Sequence, residues 1–171
     1  YSFKGGVGRT TALVHVAWLL KEAGKKVLVW DMDLDAPGFV HQPFMRSVRA
    51  KGGFIDFLVD YLKTAEIPRV EGYIAPSDVG FDVLPAGMPG DPEYPRKLGL
   101  IDWNKLNEDY YGQVLVERLR TQLQEAGYDY VLVDSKTGFG DVGGFCTLQL
   151  PDAVALIFGL NDQNLAGIKG V

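Results

Sequence analysis

Apolar positions along this chain fall into two alternating kinds of run. Residues 10–23 (TTALVHVAWLLKEA) place Leu13, Val16, Ala17 and Leu20 on one face of a helix, which Gly24 is expected to cap. The next run, KKVLVWDMD, is almost continuously apolar, the pattern of a parallel strand covered on both faces. Helical spacing returns over 54–65 (FIDFLVDYLKTA) and stops before Pro68, and GFDVLPAG (80–87) reads as a short strand and a turn. Residues 88–101 are rich in proline and glycine, so an irregular excursion is expected there. Asp102 is placed to cap a helical IDWNKLNED, and residues 112–127 (GQVLVERLRTQLQEAG) form an amphipathic helix closed by Gly127. YDYVLVD (128–134) is a second buried strand, and DAVALIFG (152–159) is expected to be a further one, leading through LNDQN into a last helical start.

Strands alternating with helices predict an α/β fold with a mainly parallel central sheet and helices on both faces. In such sheets ligands bind at the carboxyl ends of the strands. Three chemically suggestive clusters fall there: the loop KGGVGRTT (4–11), the carboxylates Asp31, Asp33 and Asp35, and Asp134. Their convergence on one edge is the main argument for a site.

Composition narrows the picture. The 171 residues are the length of one domain, and 47% apolar with 23% charged residues suits a soluble globular core. A net charge of −5 argues against a nucleic-acid module, for which a basic stripe is expected. Cys146 is the only cysteine, which excludes an intrachain disulfide framework and fits a reducing cytosol. No apolar run reaches the roughly 18–20 residues needed to span a membrane. The glycine loop stands almost at residue 1, although such a loop hangs from a strand, and NLAGIKGV reads as the first turns of a helix. Residues 1–171 are therefore expected to be one domain trimmed at both ends.

The clusters have a common chemistry. Gly5, Gly6 and Gly8 allow backbone N–H groups, including that of Val7, to point at an anion, and the helix that follows adds its dipole. Thr10 stands where a Mg²⁺-ligating hydroxyl belongs in a phosphate loop, with Thr11 beside it, and a strand-end Asp134 can support the Mg²⁺ shell. One of Asp31, Asp33 or Asp35 can orient an attacking water, and Asp33 is favoured. Against the pattern GxxxxGK[ST] the match is imperfect: Phe3 takes the first glycine position and Arg9 the lysine position. Arginine keeps the charge but binds phosphate through a planar fork.

KGGVGRTT, VLVWDMDLDAPG and YDYVLVDSKTG resemble the deviant Walker A, Walker A′ and Walker B segments of the ParA/MinD (SIMIBI) class of P-loop ATPases, in the subgroup carrying KGGVGR. LPAG at Leu84–Gly87, the DSxTG pattern at Asp134–Gly138 and the stretch Leu150–Gly167 extend the resemblance over nearly the whole chain. The resemblance implies a cytoplasmic protein that binds ATP with Mg²⁺, closes into a homodimer on nucleotide, hydrolyses slowly and regulates an attached or partner effector. It assigns Lys4 to the partner's phosphates and Arg9 to the β- and γ-phosphates of its own nucleotide. Thr10 and Asp134 go to Mg²⁺, Asp33 to the attacking water at the metal's edge, and Gly138 to a γ-phosphate switch.

Other readings stay open. With Arg9 in place of lysine, a non-catalytic nucleotide sensor fits the same motifs, and Tyr110 and Tyr111 admit a kinase-like relative, although packing suits them as well. Lys136 and Thr137 suit a γ-phosphate contact or a solvated loop, and Asn161, Asp162 and Gln163 a helix cap or a switch. Asp35 fits a solvated residue or a further metal or water ligand. His15 and Cys146 have no catalytic partner at suitable spacing. DNA or membrane contact finds no support in these residues.

Overall fold

A computed structural model of the chain describes residues 1–2, 5–45, 50–88, 90–108, 112–135 and 148–160. Four strands, β1 (Val27–Met32), β2 (Ala75–Pro76), β3 (Asp82–Leu84) and β4 (Tyr130–Ser135), form one sheet in the order β2-β3-β1-β4. β1 runs parallel to both β3 and β4, and only the two-residue edge strand β2 is antiparallel. The five helices among the described residues are α1 (Arg9–Glu22), α2 (Phe54–Thr64), α3 (Tyr94–Leu98), α4 (Trp103–Glu108) and α5 (Gly112–Glu125). The mainly parallel sheet between helices expected from the sequence is what forms.

β1 is buried along its whole length, and its side chains divide between two cores by the two-residue period of a strand. Leu28, Trp30 and Met32 join Phe54, Phe57 and Leu58 of α2 and Leu115 and Leu119 of α5. Val27 and Val29 pack on the opposite side with Ala17 of α1, Phe39, Phe81 and Val83. The ring of Trp30 meets Phe54 edge-on at 4.7 Å between centroids. Fully burying a side chain of this size contributes about 1.5–3 kcal/mol, so these two layers carry most of the drive to fold.

The helix ends follow their sequence signals. Gly24 N–H bonds to Lys21 O and Lys25 N–H to Leu20 O, the paired bonds of a Schellman cap, with Gly24 at φ 76°. Gly127 and Tyr128 repeat the arrangement on Gln124 and Leu123. The Asp102 carboxylate accepts the Lys105 N–H at 3.0 Å, as an N-cap should. The N-terminus of α2 is capped differently, because Gly53 has no side chain. Phe54 N–H bonds to Pro85 O at 2.7 Å and Ile55 N–H to Ala86 O at 2.9 Å, so the LPAG turn itself closes this helix.

Three expectations need correction. Val16 is exposed: α1 turns Leu13, Val14, Ala17 and Leu20 toward the sheet, so the buried stripe lies one position away from the expected one at that turn. The excursion 88–101 contains the short helix α3, with Pro95 in its first turn, where a missing N–H costs nothing. Lys97 fixes this helix to α2 through Asp56 at 2.5 Å and to the preceding loop through Asp91 at 2.6 Å. Residues 152–159 do not form a strand. Tyr1 donates its amino group to Ala155 O and accepts the Ile157 N–H on its carbonyl, so this segment lies beside the start of the chain without strand geometry among the described residues. Among the described residues no helix is long and apolar enough to cross a membrane.

The LPAG turn packs directly on α2, and this gives a stability test. A Cβ on Gly53 would lie 2.5 Å from Gly87 Cα and from Pro85 O. Gly53→Ala is expected to cost about 1–3 kcal/mol, seen as a lower urea midpoint at unchanged slope. Gly72→Ala, whose Cβ would meet nothing within 4 Å, is expected to stay within about 0.5 kcal/mol of the parent chain.

Candidate functional site

The site begins in the glycine loop. Gly6 and Gly8 have φ of 77° and 84°, left-handed values that cost glycine little and other residues more. Gly8 is the N-cap of α1, so Arg9 and Thr10 open the helix at the point where its N–H groups lack intrahelical partners. A Cβ on Gly5, Gly6 or Gly8 would meet nothing within 4 Å, so the space over the loop is open. Gly5 and Thr11 are exposed and Val7 half-buried.

Strand parity brings the carboxylates to this helix end. β1 and β4 pair so that Asp31 stands opposite Asp134, one residue before each strand ends. Asp31 follows Val27 and Val29 in the pleat, and Asp134 follows Leu132, so both carboxylates stand on the α1 side of the sheet. Asp31 is fully buried and Asp134 almost so.

Arg9 turns back onto this acidic edge. Its Nε donates to Asp134 Oδ1, its Nη2 to Asp33 Oδ2 at 3.4 Å and its Nη1 to Ser2 Oγ at 3.2 Å. The Thr10 hydroxyl donates to Asp134 Oδ2 at 2.5 Å. Each oxygen of Asp134 therefore holds one of the two residues that open α1. The pair with Asp134 is the close one, and the guanidinium is only 10% exposed.

Asp31 has a different task from Asp33. It accepts the backbone N–H of Asp33 on Oδ1 at 3.1 Å and that of Phe39 on Oδ2 at 3.3 Å, tying down both ends of the loop 33–39. Burial pushes its pKa up to about 7; the two backbone bonds oppose the shift, and the charges of Asp134 and Asp33 add to it. The Asp33 carboxyl is also raised, first by burial, with Arg9 as the largest opposing influence. Tyr94 of α3 closes the far side of this loop by donating its hydroxyl to Leu34 O at 2.7 Å.

The donor set can be tested against Mg²⁺. Thr10 Oγ1 and the Asp134 carboxylate are hard oxygen donors already in contact, and Asp33 reaches the same guanidinium. Among the described residues no three acidic, histidine or cysteine side chains converge as a metal cage. Mg²⁺ is held by one or two carboxylates together with waters and phosphate oxygens, and Thr10 Oγ1 and the Asp134 carboxylate are donors of that kind.

Of the residues singled out in the sequence, the structure brings together Arg9, Thr10, Asp33 and Asp134. Asp35 is exposed, and His15 is exposed on α1 with its ring Nδ1–H on Thr11 O at 2.7 Å. Lys4, Gly138, Lys136, Thr137, Tyr110, Tyr111, Cys146, Asn161, Asp162 and Gln163 lie outside the described residues. The motif reading missed Ser2, the loop-tying role of Asp31 and the hydroxyl of Tyr94. Ser2 and Tyr94 occupy no position in a phosphate-loop pattern, so only the fold could find them.

Comparison with known proteins identifies the family and the fold. Residues 1–131 match the family described as the CobQ/CobB/MinD/ParA nucleotide binding domain. The chromosome-partitioning ATPase Soj of Thermus thermophilus is 34% identical over 132 residues, 77% of this chain and 42% of that protein. The chain thus spans less than half the length of this curated relative. The kinase domain of Escherichia coli tyrosine kinase ETK superposes with a TM-score of 0.62 at 23% identity, over 99% of this chain and 59% of the other. Cobyrinic acid a,c-diamide synthase from Mycobacterium smegmatis, solved with an ATP analogue and magnesium, gives 0.59 at 18% identity, over 84% and 52%. At these two identities the likeness is one of fold.

Removing the guanidinium would leave the carboxylates of Asp33 and Asp134 without their shared cation. Arg9→Gln is expected to destabilise the chain by about 3 kcal/mol at pH 7 in metal-free buffer. It also removes the main influence holding the Asp33 pKa down. A carboxyl raised in the folded state favours folding when protonated, and that contribution is lost as pH rises through its folded pKa. The deficit of Arg9→Gln relative to the parent should therefore shrink as pH falls from 7 toward about 4, the unfolded value, in urea titrations across that range.

Proposed function

This chain belongs to the CobQ/CobB/MinD/ParA nucleotide-binding domain family, and from that premise we propose that it is the ATP-binding part of a slow, Mg²⁺-dependent ATPase switch. In this reading it forms a dimer on nucleotide and regulates an attached or partner effector in the cytoplasm. The observation that carries the reading is the single hydrogen-bonded cluster of Arg9, Thr10, Asp33 and Asp134 at the N-terminus of α1. Two relatives support the choice of nucleotide and metal: one is named as an ATPase, and another was solved with an ATP analogue and magnesium.

The backbone N–H groups of Gly5, Gly6, Val7, Gly8, Arg9, Thr10 and Thr11 face the phosphates, helped by the positive end of α1. The Arg9 fork takes oxygens of the β- and γ-phosphates. Thr10 Oγ1 and Asp134 hold the metal, with Asp33 at the edge of its shell. Mg²⁺ held by Thr10 and Asp134 would supply positive charge that neutralises the charge building on the phosphates during transfer. Asp33 is only part-buried, so its carboxylate can accept a hydrogen bond from a water and aim it. That water forms the new bond to phosphorus, the bond to the β-phosphate oxygen breaks, ADP leaves with the electron pair, and the water's protons end on the released inorganic phosphate. Asp31 and Tyr94 hold the loop that carries Asp33, so aiming is fixed from both sides. Lys4 reaches the nucleotide of the second copy, and Gly138 responds to the γ-phosphate.

A second reading has one observation in its favour. Arg9 is bonded to Asp33, the residue assigned to the water. If that bond persists with nucleotide bound, the domain holds ATP as a dimerisation signal without hydrolysing it.

Purified full chain with Mg-ATP separates the two. Asp33→Ala is expected to keep ATP binding and lower phosphate release by about 100-fold or more. ATP binding without phosphate release in the parent chain would favour the sensor, and label from γ-labelled ATP retained on the protein would point to kinase chemistry. Lys4→Ala should abolish ATP-dependent dimerisation, read by light scattering; dimerisation unchanged in that variant would refute the role given to Lys4.

A further inference from the structure

We propose that Arg9 is a specificity-determining residue: its guanidinium fills the metal's place in the nucleotide-free site, so that the site takes the metal–nucleotide complex and refuses the free metal ion. This rests on the reading of the site as a Mg-nucleotide site.

The metal's carboxylate, Asp134, has both oxygens occupied by the chain itself, Oδ1 by Arg9 Nε and Oδ2 by the Thr10 hydroxyl. The second carboxylate, Asp33, is drawn to the same guanidinium through Nη2 at 3.4 Å, and Ser2 Oγ takes Nη1 at 3.2 Å. Three faces of one planar fork are therefore engaged at once. A lysine ammonium, a compact point charge, does not offer that spread of fixed donors. The cluster is largely withdrawn from solvent, with Arg9 10% and Asp134 3% exposed at the side chain, so screening is weak.

A free divalent cation entering this site meets a fixed positive charge on its own ligand and must compete with Arg9 and Thr10, which each hold one oxygen of Asp134. A triphosphate meets the opposite situation. It offers several charged oxygens to a guanidinium that binds phosphate through paired bonds. As Arg9 transfers to the phosphates, Asp134 Oδ1 and Asp33 Oδ2 are released together, with Thr10 still beside them on Asp134 Oδ2. The metal's ligands thus become available only when the nucleotide is in place. The arginine that departs from the usual lysine acts as an internal stand-in for the metal.

The test uses Mn²⁺ as a spectroscopic substitute for Mg²⁺, with free Mn²⁺ read by electron paramagnetic resonance on the full chain. Without nucleotide, Arg9→Gln is expected to bind one Mn²⁺ at least about tenfold more tightly than the parent, and adding Asp134→Asn to that variant should remove the gain. Equal nucleotide-free affinities in parent and Arg9→Gln would overturn the proposal. The parent alone gives a second arm should Arg9→Gln fail to fold. Mg²⁺ alone should leave its thermal midpoint unchanged, whereas Mg²⁺ with a non-hydrolysable ATP analogue should raise it. A rise with Mg²⁺ alone as large as with the pair would also overturn the proposal. Failure of the underlying reading looks different: the parent would then bind no ATP analogue even with Mg²⁺ present.

Discussion

The parallel register between β1 and β4 is the constraint on which the rest of the site depends. Six consecutive pairs, from Val27 with Tyr130 to Met32 with Ser135, set Asp31 level with Asp134. A slip of one residue would turn Asp134 to the other face of the sheet, away from α1. That slip would turn the Asp134 carboxylate into the apolar layer of Leu28, Trp30 and Met32, where an unpaired charge is costly. The site's geometry thus depends on the register of the strands that end at it.

Charge balance is the second organising fact. Three carboxylates, Asp31, Asp33 and Asp134, meet at this edge, and Arg9 bonds two of them. Asp31 is served by backbone N–H groups instead, and burial raises its pKa. A buried ion pair is weak evidence for stability, because desolvation offsets much of the attraction. Its use here is in position: Arg9 keeps the acidic residues together at the helix end while no phosphate is bound.

Much of the architecture was legible in the pattern of apolar positions. The two long strands, the helices over 10–23, 54–65 and 112–127, and the caps at Gly24, Asp102 and Gly127 all follow from local signals. Residues 152–159 carry the same apolar signal as β1 yet form no strand, because a strand is a pairing and the apolar signal does not say which neighbour completes it. Helix α3 was hidden because its stability comes from Lys97 between Asp56 and Asp91, contacts that no local rule contains. The site residues could be named from the spacing of glycines and carboxylates, but their partners could not. That Arg9 would reach Asp134, 125 positions away, depends on strand order and pleat.

The proposed function turns on Arg9 changing partners, from carboxylates to phosphates, as nucleotide binds. A crystal structure of the full chain with Mg²⁺ and a non-hydrolysable ATP analogue would decide it. The guanidinium is expected on β- and γ-phosphate oxygens, with the metal between Thr10 and Asp134 and Asp33 facing the γ-phosphate. Nucleotide bound with Arg9 still on Asp134, or metal held at a place that leaves that pair intact, would contradict it.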